Sequence, residues 1–208
     1  MLKDLKITEF LKKMSSADPV PGGGSAAAFN AALAASLTEM VANLTIGRKQ
    51  FESVENEMKK IADVAAGLRK KLQEDIDNDA DAYKKVLTAF QFPKNTAEEK
   101  IQRTQAIQDA FKKAALVPLG VARDAFRIME LAQKVIADGN PNAITDGTVA
   151  AMTARTAVLA SLYNVKINLS SIKDNLFVAE LTKEADDLES QVFEKEKEIL
   201  KHVERLSE

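Results

Sequence analysis

Apolar residues recur every three or four positions along almost the whole chain, the period of a helix that buries one face. Ile7, Phe10, Leu11 and Met14 share one side of a first helix, which stops before Asp18-Pro19-Val20-Pro21-Gly22-Gly23-Gly24-Ser25. Two prolines and three consecutive glycines cannot continue it. Ser25 is placed to cap a second helix, from about Ala26 to Gly47. This one carries alanine on nearly every side (Ala26, Ala27, Ala28, Ala31, Ala32, Ala34 and Ala35), with Leu33, Leu37, Met40, Val41 and Leu44 as the larger contacts. A helix that is apolar all round is normally a buried one. A third helix, about Glu52 to Phe90, carries the stripe Val54, Met58, Ile61, Ala65, Leu68, Leu72, Ile76, Tyr83, Val86 and Phe90.

Pro93 ends that stripe, and Thr96 with Glu99 three residues later forms a capping box for a fourth helix to about Ala137. Pro118 is expected to kink or split it. After the loop Gly139-Asn140-Pro141-Asn142, Thr145 or Asp146 can cap a fifth helix to about Tyr163. Asn164–Leu169 alternates like a strand, but no partner strand is evident, so it is expected to extend the fifth helix or run irregularly. A sixth helix, about Asp174 to Arg205, shows Leu181, Ala185, Leu188, Val192, Ile199, Val203 and Leu206. The fold class is therefore all-α, one domain over residues 1–208 built as a bundle of long antiparallel helices. Helices near forty residues reach ~60 Å at 1.5 Å per residue. That is long for a compact monomer of this size, and a dimer would bury the projecting faces.

Composition narrows the chemistry. The chain has no cysteine and one histidine, His202, which excludes thiol nucleophiles, disulfides, iron–sulfur clusters and zinc sites of the usual Cys or multi-His kind. Catalysis would have to run on carboxylates, hydroxyls, amides, Lys and Arg. Lys plus Arg number 29 against 31 Asp plus Glu, a net charge of −2, without the basic excess that nucleic-acid binding requires. No uninterrupted apolar run reaches the ~18 residues of a membrane span, and the N-terminus lacks a signal-peptide core. A soluble protein of a reducing cytoplasm is the expectation.

Two places stand out as candidate chemistry. Stepping along the third helix from Leu72, the stripe reaches Ile76, then Asp79, then Tyr83. A carboxylate occupies a slot where an apolar side chain is expected. Burial raises the pKa of such a group, which suits it to general acid–base work near neutral pH. Asp75, one turn earlier, would push the same way. A buried hydrogen bond to a neighbouring helix would account for Asp79 as well, and Asp75, Asp77 and Asp81 fit a solvated acidic face. The second place is Gly22-Gly23-Gly24-Ser25 at a helix start, where unhindered backbone N–H groups can approach a ligand. It is neither a P-loop nor a dinucleotide fingerprint. Turn and capping chemistry explains Asn140, Asn142 and Asp146, the helix dipole suits Arg48 and Lys49 at a C-terminus, and His202 is expected at a partly exposed position.

Taken together, Pro19–Ala28, Met40–Lys49, Asp77-Asn78-Asp79-Ala80-Asp81-Ala82-Tyr83, Gly139–Ala143 and Asn164–Leu169 resemble, in order, motifs of the cyclodeaminase domain of formiminotransferase-cyclodeaminase. The family also includes free-standing methenyltetrahydrofolate cyclohydrolases of about this length. Phe51 stands where the family often has Tyr, and Thr145 where Ser is common. The resemblance implies an all-helical homodimer or larger assembly that binds a reduced folate near a subunit interface. It implies no metal and no cofactor beyond that folate. One family reaction closes formiminotetrahydrofolate to methenyltetrahydrofolate and expels ammonia; the other opens methenyltetrahydrofolate to formyltetrahydrofolate with water. The catalytic aspartate maps to Asp79, with Asp77 as the alternative. Gly22, Gly23, Gly24 and Ser25 would approach the folate, Arg48 and Lys49 would bind glutamate-tail carboxylates, and Asn140, Asn142 and Asp146 would orient the pterin. A non-catalytic helical scaffold is the competing expectation. It accounts for the stripes but not for three glycines at a helix start or an acid in an apolar stripe.

Overall fold

The computed structural model describes residues 1–207, with side chains described as far as residue 204. Its regular elements are helices: α1 (Ile7–Met14), α2 (Gly23–Thr45), α3 (Glu55–Phe90), α4 (Ala97–Asp138), α5 (Ile144–Leu169) and α6 (Asn175–Ser207), with no strand among the described residues. Short 3-10 turns lie at Leu2–Asp4, Lys49–Val54 and Pro141–Ala143. Short connections make the long helices antiparallel neighbours. α2 sits at the centre, packed on α3, α4 and α5, while α6 covers α4 and α5.

Alanine explains that central position. Ala28, Ala31, Ala34 and Ala35 of α2 share a core with Ala150, Ala154 and Ala157 of α5, all without solvent contact. Side chains this small let the helix backbones approach closely, and Leu72, Leu119, Ile128 and Met129 fill the wider space between the outer helices. α2 is also the helix, among the described residues, whose length and mean hydropathy would allow it to cross a bilayer. Here its small residues are spent on helix contacts. It is not apolar and buried all round, because Leu33, Met40 and Leu44 face outward. In α1, Phe10 is buried whereas Ile7 and Leu11 are exposed.

The element boundaries depart from the sequence reading in instructive ways. α2 begins at Gly23 with Gly22 as its cap, so Ser25 is not the cap but lies inside the first turn. Neither Thr145 nor Asp146 caps α5. The helix opens earlier, at Ile144, and Asn140 caps the preceding turn by accepting from the Asn142 N–H at 3.1 Å. The third helix begins only at Glu55, after the Lys49–Val54 turn. Pro118 does not split α4, which runs through it unbroken. The Thr96–Glu99 capping box is present, and α5 extends through Asn164 to Leu169. On α6, Leu181, Ala185, Leu188, Val192 and Ile199 are buried, whereas the side chain of Leu206 lies outside the described residues.

Candidate active site

α2 and α3 meet where the glycines are. The Asp79 carboxylate packs against the α-carbon of Gly24, and a methyl group placed on Gly24 would sit 1.9 Å from Asp79 Oδ1. Only glycine leaves room for the acid. Ser25, buried beside it, places its Oγ 3.0 Å from Asp79 Oδ2 and 3.0 Å from the Ile76 carbonyl. When Asp79 is ionised, the hydroxyl donates to it. When Asp79 is protonated, the hydroxyl can turn to Ile76 and accept from the acid instead. The Ser25 backbone N–H also bonds the carboxylate. Burial nevertheless dominates and holds the Asp79 pKa above the usual carboxylate range, with the Ser25 hydroxyl and N–H opposing it.

In front of Asp79 lies a cleft of about 480 Å³. Gly22, Gly23 and Gly24 form one edge; Tyr83, Phe90 and Phe111 give aromatic walls; Asn164 and Asn168 of α5 face it from the other side. Asp79 and Tyr83 are its titratable lining groups among the described residues. A mostly apolar slot with a few fixed polar atoms is the usual form of a small-molecule site. Asn164 and Asn168 were legible only as part of a motif. Two amides four residues apart on an otherwise apolar helix face are the signal that marks them.

The other acids have separate duties. Asp77 is turned away from the cleft and accepts from the backbone N–H groups of Leu2 at 2.7 Å and Lys3 at 3.3 Å, tying down the start of the chain. Asp75 is not solvated: it is buried, accepting from Asn78 Nδ2 at 2.9 Å and paired with Lys71 at 3.4 Å. Asp81 is exposed and paired with Lys84. Among the described residues, no three His, Asp or Glu side chains converge to hold a metal ion.

The remaining candidates lie at the far end of α2, about 33 Å from Gly23 by helix length. Arg48 and Lys49 are exposed just beyond its C-terminus. Asn140 is buried there, its N–H donating to Thr45 Oγ1 at 2.9 Å and its Nδ2 to the Leu44 carbonyl at 3.2 Å. Asn142 is exposed and Asp146 half-buried in the same region. Within one protomer these five residues do not share a cleft with Asp79.

An all-helical bundle with a single desolvated carboxylate at the head of an aromatic-walled slot defines a class: a small-molecule site equipped for proton transfer. The sequence profile of the formiminotransferase-cyclodeaminase family matches residues 6–187, and the chain belongs to that family. It is 40% identical over 182 residues to the methenyltetrahydrofolate cyclohydrolase of Methylorubrum extorquens, an overlap of 88% of each chain. It is 35% identical over 176 residues to the formimidoyltransferase-cyclodeaminase of Rattus norvegicus, 85% of this chain but 32% of that much longer one. The crystal structure of formiminotetrahydrofolate cyclodeaminase from Thermotoga maritima superimposes with a TM-score of 0.89 at 30% identity, covering all of both chains.

Proposed function

We propose that the protein is a folate one-carbon enzyme acting on the carbon that bridges two folate nitrogens, with methenyltetrahydrofolate cyclohydrolase as its reaction. The observation that carries this reading is the Asp79 carboxylate, desolvated at the head of the cleft yet hydrogen-bonded to Ser25. The 40% identity across 88% of both chains to a cyclohydrolase supports the hydrolytic direction. A scaffold would need neither the cleft nor the bare Gly24.

In that direction, Asp79 takes a proton from water as the water oxygen bonds to the cationic methenyl carbon. The negative carboxylate also stabilises that cation in a site of low dielectric. The tetrahedral carbon then loses its hydroxyl proton and forms the formyl C=O. The bond to one folate nitrogen breaks, and that nitrogen takes the proton held by Asp79. One proton is released overall. Glycine at 22 to 24 lets the flat ring system lie against the backbone. The reaction as written uses no cofactor beyond the folate.

The full-length likeness to a cyclodeaminase favours a second reading with the same group. Asp79 would there take the proton of the attacking folate nitrogen and pass it to departing ammonia. Supplying methenyl- and formiminotetrahydrofolate separately and following the methenyl chromophore distinguishes the two. Accelerated decay of the chromophore is expected; its appearance from the formimino compound would reassign the reaction. No change with either would end the folate reading.

The working unit in this proposal is a homodimer in a cytoplasmic compartment. Leu33, Met40 and Leu44 of α2 and Val149 and Met152 of α5 are exposed, and Asn30 joins Val149 and Met152 around one shallow depression. An apolar surface of this extent suits a partner. Arg48, Lys49, Asn140, Asn142 and Asp146 would reach a folate only from the second copy.

A further inference from the structure

Pro118 lies inside α4 and has no N–H to return to the carbonyl four residues back, that of Ala114. That carbonyl is not left to the helix. Asn168 of α5 donates its Nδ2 to Ala114 O at 3.1 Å, and the same Nδ2 donates to Asn164 O at 2.8 Å. Both partners are acceptors, so the nitrogen of the amide must face them and the oxygen must face away. Ala114 and Asn168 both line the cleft. Asn164 repeats the arrangement, its Nδ2 held by Ala160 O at 2.8 Å. Both N–H groups of the Asn168 amide are thus engaged by backbone carbonyls and its oxygen is left as an acceptor, while Asn164 has one of its two N–H groups engaged in the same way.

We propose that Asn168, oriented by the carbonyl that Pro118 leaves open, accepts from the N–H edge of the pterin ring and so selects amino-pterin ligands. The inference rests on the reading of this cleft as a folate site and adds which face of the ligand the α5 wall recognises. A pterin edge offers a ring N–H and an exocyclic NH₂, both donors. A fixed acceptor at Asn168 favours it over a ring lacking those donors, because the acceptor would otherwise be desolvated without a partner. Asn168 is a binding residue in this scheme and Pro118 a positioning one.

The test compares turnover of methenyltetrahydrofolate with that of its analogue carrying methyl in place of the 2-amino group. Wild type should favour the amino compound. Asn168→Ala should raise KM for the amino compound by about three- to tenfold, the worth of one ordinary hydrogen bond, and shrink the preference between the two ligands. Pro118→Ala restores an N–H for Ala114, so the helical circular-dichroism spectrum should be retained while KM rises in the same direction. In both variants the acid limb of the kcat profile, which reports Asp79, should not move. An Asn168→Ala enzyme with wild-type preference between the ligands would overturn the proposal, as would an equal loss on both ligands accompanied by a lower Tm. Wild-type KM in Pro118→Ala would remove the proline from it. Wild type inactive on both methenyl- and formiminotetrahydrofolate would instead defeat the underlying folate reading.

Discussion

Asp79, Ser25 and Gly24 form one unit, and each has its own expected signature. Replacing Asp79 by Asn should keep the helical fold and lower turnover by ~10²–10⁴-fold, the worth of a general base. The same variant has a stability signature. Because the folded-state pKa of Asp79 is raised by burial, the native protein is not penalised below the ordinary carboxylate range, where the acid is neutral folded or unfolded. The penalty grows as pH rises from the unfolded pKa through the folded one. Asp79→Asn should therefore melt no lower than wild type at pH 7, and its relative advantage should shrink on acidification; thermal melts at several pH values measure this. Ser25→Ala removes a donor to the carboxylate, so the acid limb of the rate profile should move to higher pH. A uniform loss at every pH would assign Ser25 a packing role. Gly24→Ala forces a methyl onto the carboxylate and should lower turnover nearly as far as Asp79→Asn while the circular-dichroism spectrum is kept.

At the scale of elements, helix number and the all-α class were legible because the three- and four-residue period is insensitive to how the helices are arranged, and the antiparallel order because the connections between them are short. Helix starts were less so. Ser25 resembles a cap by residue type, but its hydroxyl has better partners on α3, which no local pattern reveals. Asp75 looked solvated because its partners Asn78 and Lys71, three and four residues away on the same helix, suit an exposed face as well as a buried one. Pro118 looked like a break because the carbonyl it strands is served from α5, fifty-four residues away in the chain. Asn140 is the counterpart at the other end of the bundle, closing the α4–α5 loop onto the last turn of α2. Asn140→Ala should cost about 1–3 kcal/mol, since it leaves the Leu44 carbonyl and the Asn142 N–H short of partners. Chemical denaturation reads that loss.

For the whole molecule, the length of α3 and α4 and the outward-facing row on α2 and α5 point the same way. A Leu33→Glu/Met152→Glu double variant, each residue exposed in the single chain, should leave the protomer folded and shift its mass by light scattering from two chains to one. Retention of the dimer would place the contact on another face. The candidate site was half legible at this scale. Asp79 and the glycines emerged from the pattern along one helix and one loop. Arg48 and Lys49 stand at the opposite end of α2 from the glycines, and antiparallel order brings the α4–α5 junction with Asn140, Asn142 and Asp146 to that same end, so their distance from Asp79 was contained in the topology. The motif resemblance, which is silent about position in the bundle, had grouped them with it.

The absence of any side chain at position 24 has meaning only while an acid stands at 79. In a duplicated copy released from its chemistry, losing the acid would lift the steric ban opposite it, and drift could then fill the vacant spot with alanine or serine without harm to the bundle. Reading just those two positions across descendants of such a duplication would separate copies that still turn over substrate from copies that keep only the architecture.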